Sequence, residues 1–229
     1  MVMRVLVTGA NRGIGHELVR QLVQRGDDVD AVSRTPQEIV YEDKAADSRI
    51  RLFRCDIADD ESVRALAAEL GDAAIDMVIN NAGVGGGNRQ SLRDLDFAEA
   101  LRTYNVDALG ALRVSLALLP HVRRGQVKKL VHVTSGLGSI GDNKSGGHYA
   151  YRMAKAALNM MAKNLAMDLR GDGITSIVIN PGWVQTDMGG SHAAITPSES
   201  VRGMLRVIES ASLADTGAFL DWNGGRYPY

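Results

Sequence analysis

The chain has 229 residues, 45% of them hydrophobic, and carries 26 Lys and Arg against 27 Asp and Glu, for a formal net charge of −1. That length suits one medium α/β domain with a sizeable core, and the balanced charge argues against both a nucleic-acid surface and a polybasic membrane anchor. One cysteine, Cys55, excludes an internal disulfide, and no Cys/His cluster has metal-ligand spacing, so no metal is expected.

Residues 1–9 are too short and too soon broken for a signal peptide, and no run approaches the roughly 18 apolar residues of a spanning helix. A cytoplasmic protein with no membrane partner is the expectation. Residues 3–8 read as a brief, buried first strand. Thr8-Gly-Ala-Asn-Arg-Gly-Ile-Gly15 follows, then the helix-patterned residues 16–25. In the order strand, glycine turn, helix, glycines let the backbone approach a diphosphate, while the helix start offers free N–H groups and a positive dipole end. The spacing is Gly-x-x-x-Gly-x-Gly, and a purely structural tight turn is the plainer alternative.

Residues 28–33 read as the second strand, ending at Ser33-Arg34. A carboxylate here would bond a ribose 2′-hydroxyl. Ser33 and Arg34, with Arg12 inside the glycine turn, suit a 2′-phosphate instead and predict a preference for NADP(H), with NAD(H) left open. Asp30 falls too early to be the ribose ligand. Residues 35–49 read as loop or short helix. Residues 50–54 form a third strand with Cys55 and Asp56 at its carboxyl end, Cys55 being read as a buried structural thiol. Residues 59–70 form an amphipathic helix capped by Asp59 or Asp60. Residues 75–79 are the fourth strand and run into Asn80-Asn-Ala-Gly83; the glycines up to Gly87 read as a flexible loop.

A long helix over about 97–119, ending before Pro120, contains Asn105. Residues 127–134 form the fifth strand, followed by Ser135 and then a helix running through Arg170. A sixth strand at 174–179, a last helix at 197–211 and a short strand at 217–221 complete the order. Strands alternating with helices predict one domain over residues 1–229, an α/β doubly wound parallel sheet of about seven strands with helices on both faces.

Inside the penultimate helix lies Tyr151-Arg-Met-Ala-Lys155. Four residues apart on a helix, a phenol and an ammonium share one face. A free phenol exchanges its proton poorly near neutrality, and a neighbouring cation favours the phenolate. Ser135, at a strand end, could hold a carbonyl or alcohol oxygen while Tyr151 moves the proton. Taken alone, Tyr-x-x-x-Lys is more often an ordinary helical pair. His132, His148 and His192 read as packing or surface residues.

Thr8-Gly-x-x-x-Gly-x-Gly15, Asp56, Asn80-Asn-Ala-Gly83, Asn105, Ser135, Tyr151-x-x-x-Lys155 and Pro181-Gly182 through Thr186 stand in the order of the short-chain dehydrogenase/reductases, and the resemblance covers essentially the whole chain. It is most similar to the compact carbonyl reductases of the C-factor and Sniffer type, through residues 151–159, 181–190 and 219–229. The resemblance implies a Rossmann-type fold and an oxidoreductase moving hydride between a nicotinamide and a carbonyl or alcohol. It implies Tyr151 as general acid and base, Lys155 as its tuner and a ligand of the nicotinamide ribose, Ser135 orienting the substrate oxygen and Asn105 placing a water in a proton relay. Gly9, Asn11, Arg12, Gly13, Ile14 and Gly15 would line the diphosphate side, Arg34 the 2′-phosphate and Asp56 the adenine. Asn81, Ala82 and Gly83 would follow the cofactor across the sheet, with Pro181, Gly182, Val184 and Thr186 around the carboxamide.

Ser135 and Tyr151 stand sixteen positions apart, wider than is usual in the family. The extra residues fall in 141–147, and Ser139 would be the rival to Ser135. Leu137, Ile140, Trp183 and Met188 are expected to line an apolar substrate pocket. Relatives assemble through the two long helices, which leaves monomer, homodimer and homotetramer open. The alternative to an enzyme is a cofactor-binding signalling or redox-sensing protein with little turnover.

Overall fold

The structure, a computed structural model, describes residues 1–36 and 47–229. Seven parallel strands form one sheet in the order β3-β2-β1-β4-β5-β6-β7. They are β1 (Arg4–Thr8), β2 (Asp28–Ser33), β3 (Ile50–Arg54), β4 (Met77–Asn80), β5 (Lys129–Val133), β6 (Thr175–Asn180) and β7 (Phe219–Asp221). The central strands are covered on both faces, which is why they read as nearly continuous apolar runs. Alternate side chains still divide between the layers. Val5 and Val7 pack with Leu18, Leu22, Met204 and Ile208, whereas Leu6 packs with Leu66, Val114, Leu130 and Leu165.

The first layer contains α1 (Gly13–Gln24) and α7 (Pro197–Ser210). The second contains α2 (Asp60–Leu70), α3 (Phe97–Tyr104), α4 (Ala111–Ala117), α5 (Leu119–Arg124) and α6 (Tyr149–Asp168). Asp59 caps α2 by accepting the Ser62 N–H, and Thr196 with Glu199 forms a reciprocal capping box on α7.

The region expected as one helix is interrupted twice. A wider π-helical turn, Asn105–Gly110, joins α3 to α4. The chain then continues past Pro120, which sits in the first turn of α5. A proline there removes only an N–H that has no intrahelical partner anyway. Residues 37–46 of the expected 35–49 loop lie outside the described residues, and Asp47–Arg49 is a single 3₁₀ turn.

The strand order reverses between β1 and β4, so a crevice opens beyond their carboxyl ends, the usual ligand position in open α/β sheets. Thr8 closes the base of that crevice. Its Oγ1 accepts the N–H groups of Asn81 and Ala82 at 3.0 and 3.1 Å, tying the end of β1 to the end of β4. Beneath it lies a buried polar network in which Asn80 Nδ2 meets Ser115 Oγ at 3.0 Å and His132 Nδ1 at 3.2 Å. Complete burial pushes His132 down to about 3, so this ring is a neutral packing element.

Candidate active site

The glycine turn lies at the mouth of the crevice. Gly9 has φ +69°, and a Cβ on it would stand 2.8 Å from Ala82 Cα. A Cβ on Gly15 would fall 2.1 Å from the Gly9 carbonyl oxygen and 2.5 Å from Asn81 Nδ2. That amide already donates to the carbonyls of Thr8 and Gly9, so Asn81 braces the turn from the neighbouring strand. Gly15→Ala is therefore expected to open the turn, lowering the melting temperature and weakening nucleotide binding together. Thermal unfolding and fluorescence titration with NADPH measure both, and unchanged values would show that the turn tolerates a side chain.

α1 begins with no side-chain cap and no acidic residue in its first turn. Its leading N–H groups and positive dipole end are thus available to an anion. At the end of β2 the Ser33 hydroxyl is buried and has no hydrogen-bond partner among the described residues. Arg34 beside it is exposed and makes no ion pair among the described residues. These observations fit a dinucleotide whose diphosphate meets the start of α1 and whose ribose reaches the end of β2.

Arg12, expected with Arg34 to suit a 2′-phosphate, already has a carboxylate beside it. Its Nη1 pairs with Asp187 Oδ2 at 2.6 Å, both side chains being largely exposed. The Thr186 methyl lies beside Gly13, 3.3 Å from where a Cβ there would stand. The segment after Pro181 therefore leans over the glycine turn. Val184 is buried and bridges to Ile195, Gly182 has φ +82°, and the Pro181 carbonyl accepts from Ser200 Oγ at 2.6 Å. Asp56 follows β3 with one carboxylate oxygen taken by the Ala58 N–H. Asp30 is buried against Arg51, consistent with its exclusion as a ribose ligand. Cys55 is buried, and burial pushes its thiol up.

Beyond β5, Ser135 starts a short 3₁₀ turn, Gly136–Gly138, and its Oγ accepts the Leu137 N–H at 3.1 Å. The hydroxyl proton is left to be donated elsewhere. This turn is fastened to α6 at three places. Thr134 Oγ1 donates to Asn159 Oδ1 at 2.6 Å, Asn159 Nδ2 to the Gly138 carbonyl at 3.1 Å, and Arg152 Nη1 to the Leu137 carbonyl at 3.4 Å. Ser135 and Tyr151 are thus held on one rigid unit despite the long 139–148 connection. Ser139 is occupied elsewhere, its hydroxyl donating to the Pro228 carbonyl at 2.6 Å.

His148, the residue before α6, has φ +48° and its side chain does not cap the helix. Gln90, buried at 8% exposure, does the capping from outside. Its carbonyl accepts the Tyr149 N–H, its Oε1 accepts the Tyr151 N–H at 3.0 Å, and its Nε2 donates to Gly85 and Gly87. The glycine-rich stretch after Asn81 is therefore organised around this side chain.

One turn along α6, the Lys155 ammonium lies 5.6 Å from the centre of the Tyr151 ring, on the face shared by the two residues. It donates to the Val133 carbonyl at 3.3 Å and stands 3.1 Å from Asp107 Oδ2, an ion-pair contact off the line of a hydrogen bond. Burial pulls the Lys155 ammonium down, but Asp107 and Tyr151 outweigh it, and the net direction is up. Burial pushes the Asp107 carboxyl up, against the pull of Lys155.

Asn105, expected in the proton relay, has its side chain elsewhere. Its Nδ2 donates to the Ala58 carbonyl at 3.2 Å and its Oδ1 accepts from Arg113 at 2.8 Å. Residues two apart on a helix lie on nearly opposite faces, so placing Asp107 at Lys155 turns Asn105 outward. An acidic residue between Val106 and Ala108 marks Asp107 in the sequence as a polar position in this helix, without saying which face it takes.

Of the expected pocket residues, Ile140, Trp183 and Met188 are exposed and Leu137 is half-buried. Met188 lies across the crevice near Gly85, 3.5 Å from where a Cβ there would stand. Among the described residues no group of His, Cys, Asp and Glu could hold a metal ion. Among the same residues no helix is long and apolar enough to cross a membrane.

A model of the short chain dehydrogenase family matches residues 3–195. The C-signal of Myxococcus xanthus is 46% identical over 167 residues, 73% of this chain and all of that protein. The 1-hydroxy-2-glutathionyl-2-methyl-3-butene dehydrogenase of Rhodococcus sp. strain AD45 is 37% identical over 226 residues, 96% of each chain. An NADPH-bound carbonyl reductase from chicken fatty liver superposes with a TM-score of 0.88 at 31% identity, covering 100% of this chain and 99% of the other.

Proposed function

This chain belongs to the short-chain dehydrogenase family and is an NAD(P)-dependent oxidoreductase, and we propose that it is an NADP(H)-preferring reductase of small carbonyl compounds, with Tyr151 as the proton donor. The observation that carries the reading is Tyr151 and Lys155 on one face of α6, clamped to the turn that begins at Ser135.

The bound nicotinamide would supply hydride to the carbonyl carbon. The protein's own task is then positioning and one proton transfer. Ser135, with its Oγ already accepting an N–H, would orient the substrate oxygen by donating a hydrogen bond to it while keeping its own proton. Tyr151 Oη would deliver the proton to that oxygen, or take it in the reverse direction. Lys155 would hold the phenol's environment positive and bond the nicotinamide ribose. The start of α1 would hold the diphosphate, and Ser33 and Arg34 the 2′-phosphate. The NADPH bound by the chicken carbonyl reductase supports this cofactor.

The likeness to a protein named C-signal supports a second reading, a cofactor-binding signalling role with little turnover. Absorbance at 340 nm with NADPH and NADH against aldehydes, ketones and diketones decides between them. Turnover establishes the reductase; tight NADPH binding with no turnover on the panel favours the second reading. For the cofactor, Arg34→Asp is expected to weaken NADPH binding at least about tenfold more than NADH binding, the loss of one charge-assisted contact. Equal losses in fluorescence titrations would show that Arg34 does not read the 2′-phosphate.

A further inference from the structure

Asp107 is a charged side chain at the site that the reaction as proposed leaves without a role. It is 1% exposed, in the π-helical turn that interrupts the α3–α4 run, and π-turns in helices tend to fall at functional sites. Its Oδ1 accepts the Val84 N–H at 2.8 Å, which holds the carboxylate in place, and its Oδ2 faces Lys155 at 3.1 Å. The ammonium in turn sits beside the Tyr151 ring. Three ionisable groups thus form a chain from the helix interior to the proposed proton donor.

We propose that Asp107 is a positioning residue for the Tyr151 proton exchange, its carboxylate holding the Lys155 ammonium in place and offsetting part of its charge, so that three groups set the pH range of catalysis. This rests on the reading of Tyr151 as the proton donor. A neutral side chain could accept the Val84 N–H equally well, so a purely structural role does not call for a carboxylate that is costly to desolvate. The groups facing the pair are Lys155 and Tyr151 from α6, the Val84 N–H from the segment after β4 and the Val133 carbonyl from β5. Arg102 on α3 acts on Asp107 from further away and is itself bound to Glu99. Burial pushes the Asp107 carboxyl up, so its ionised form depends on Lys155, and the two charges stand or fall together.

The sign follows from the charges. An anionic Asp107 disfavours a phenolate at Tyr151, and removing that charge leaves the ammonium less compensated. Unit charges this deep in a protein interact by about one pH unit or more. Asp107→Asn keeps the shape and an acceptor for Val84, whereas Asp107→Glu keeps the charge.

Two measurements test this: the pH profile of NADPH oxidation, and the titration of Tyr151 in cofactor-free protein labelled with carbon-13 at tyrosine Cζ, assigned with Tyr151→Phe. In Asp107→Asn both the alkaline limb of reduction and the Tyr151 signal should move to lower pH by about one unit, and in Asp107→Glu both should stay near wild type. Positions unchanged in Asp107→Asn, or moved to higher pH, overturn the inference. Asp107→Ser takes the place of the asparagine variant if that chain does not fold. If Tyr151→Phe still turns over, the catalytic reading fails, while the Tyr151 signal still tests the coupling of the three groups.

Discussion

Tyr151→Phe is expected to lower turnover with NADPH by at least about a hundredfold, the lower end of what a positioned proton donor contributes, while leaving NADPH binding nearly unchanged. The substitution removes one hydroxyl from a half-buried residue, and no hydrogen bond of that hydroxyl holds α6 in place among the described residues. The start of the helix is held through the backbone N–H groups of Tyr149 and Tyr151 by Gln90, and its flank by Asn159 and Arg152. A loss of rate therefore reports chemistry rather than collapse, which a matching melting temperature would verify. Since a proton donor acts in the transition state, the loss should fall on kcat and on kcat/KM alike. Wild-type turnover in Tyr151→Phe would remove the phenol from the mechanism and leave Ser135 or solvent as the proton source.

Lys155→Met is expected to have the second large effect, and chiefly on stability. Lys155 and Asp107 are 4% and 1% exposed and face one another at 3.1 Å. Removing the cation leaves a buried carboxylate uncompensated, a change that costs about 3–5 kcal/mol and, for a chain of this size, roughly 10 °C in melting temperature. The pH dependence gives a second signature. Burial already raises the Asp107 carboxyl in the wild type despite Lys155, and without Lys155 the burial is opposed by the Val84 N–H and, from further away, by Arg102. A carboxyl raised in the folded state contributes fully below the unfolded value of about 3.9 and loses that contribution as pH rises through its folded value. Lys155→Met should accordingly be least stable at neutral pH and regain stability on acidification towards pH 5. The double variant with Asp107→Asn should recover much of the loss at pH 7. Urea unfolding at pH 5 and 7 reads all three. A single variant as stable as wild type at both values would mean that Asp107 and Lys155 do not form a charged pair.

Both expectations turn on contacts that differ in how far they can be read from the chain. β2 and β3 lie over 28–33 and 50–54, where the apolar runs placed them. The remaining strands shift by one or two residues at their ends, as at β4, which begins at Met77 because the Ile75 N–H bonds the His121 carbonyl instead. These elements are legible because their signal is local. Hydrophobic period and strand–turn–helix punctuation reside in a few consecutive residues. Tyr151 and Lys155 share a face for the same reason, since four residues make about one turn.

What local pattern could not supply were the partners. Gln90 anchors the start of α6 through a side chain sixty-one positions away from Tyr151, and Arg12 meets Asp187 across the crevice. Pro120 looked like a helix end, yet it sits where a new helix starts and needs no N–H. Asn105 and Asp107 are two polar residues in one helical stretch, and sequence alone offers no preference between them for the face towards Lys155. The wider turn at 105–110 and the docking of that stretch against α6 make the choice, burying Asp107 and leaving Asn105 to Arg113. The order of elements, the glycine turn and the phenol–ammonium spacing are legible in the chain, because each is carried by neighbouring residues. Which charge faces that pair emerges only in the folded protein, because it depends on how a helix is rotated about its axis, and rotation is set by packing.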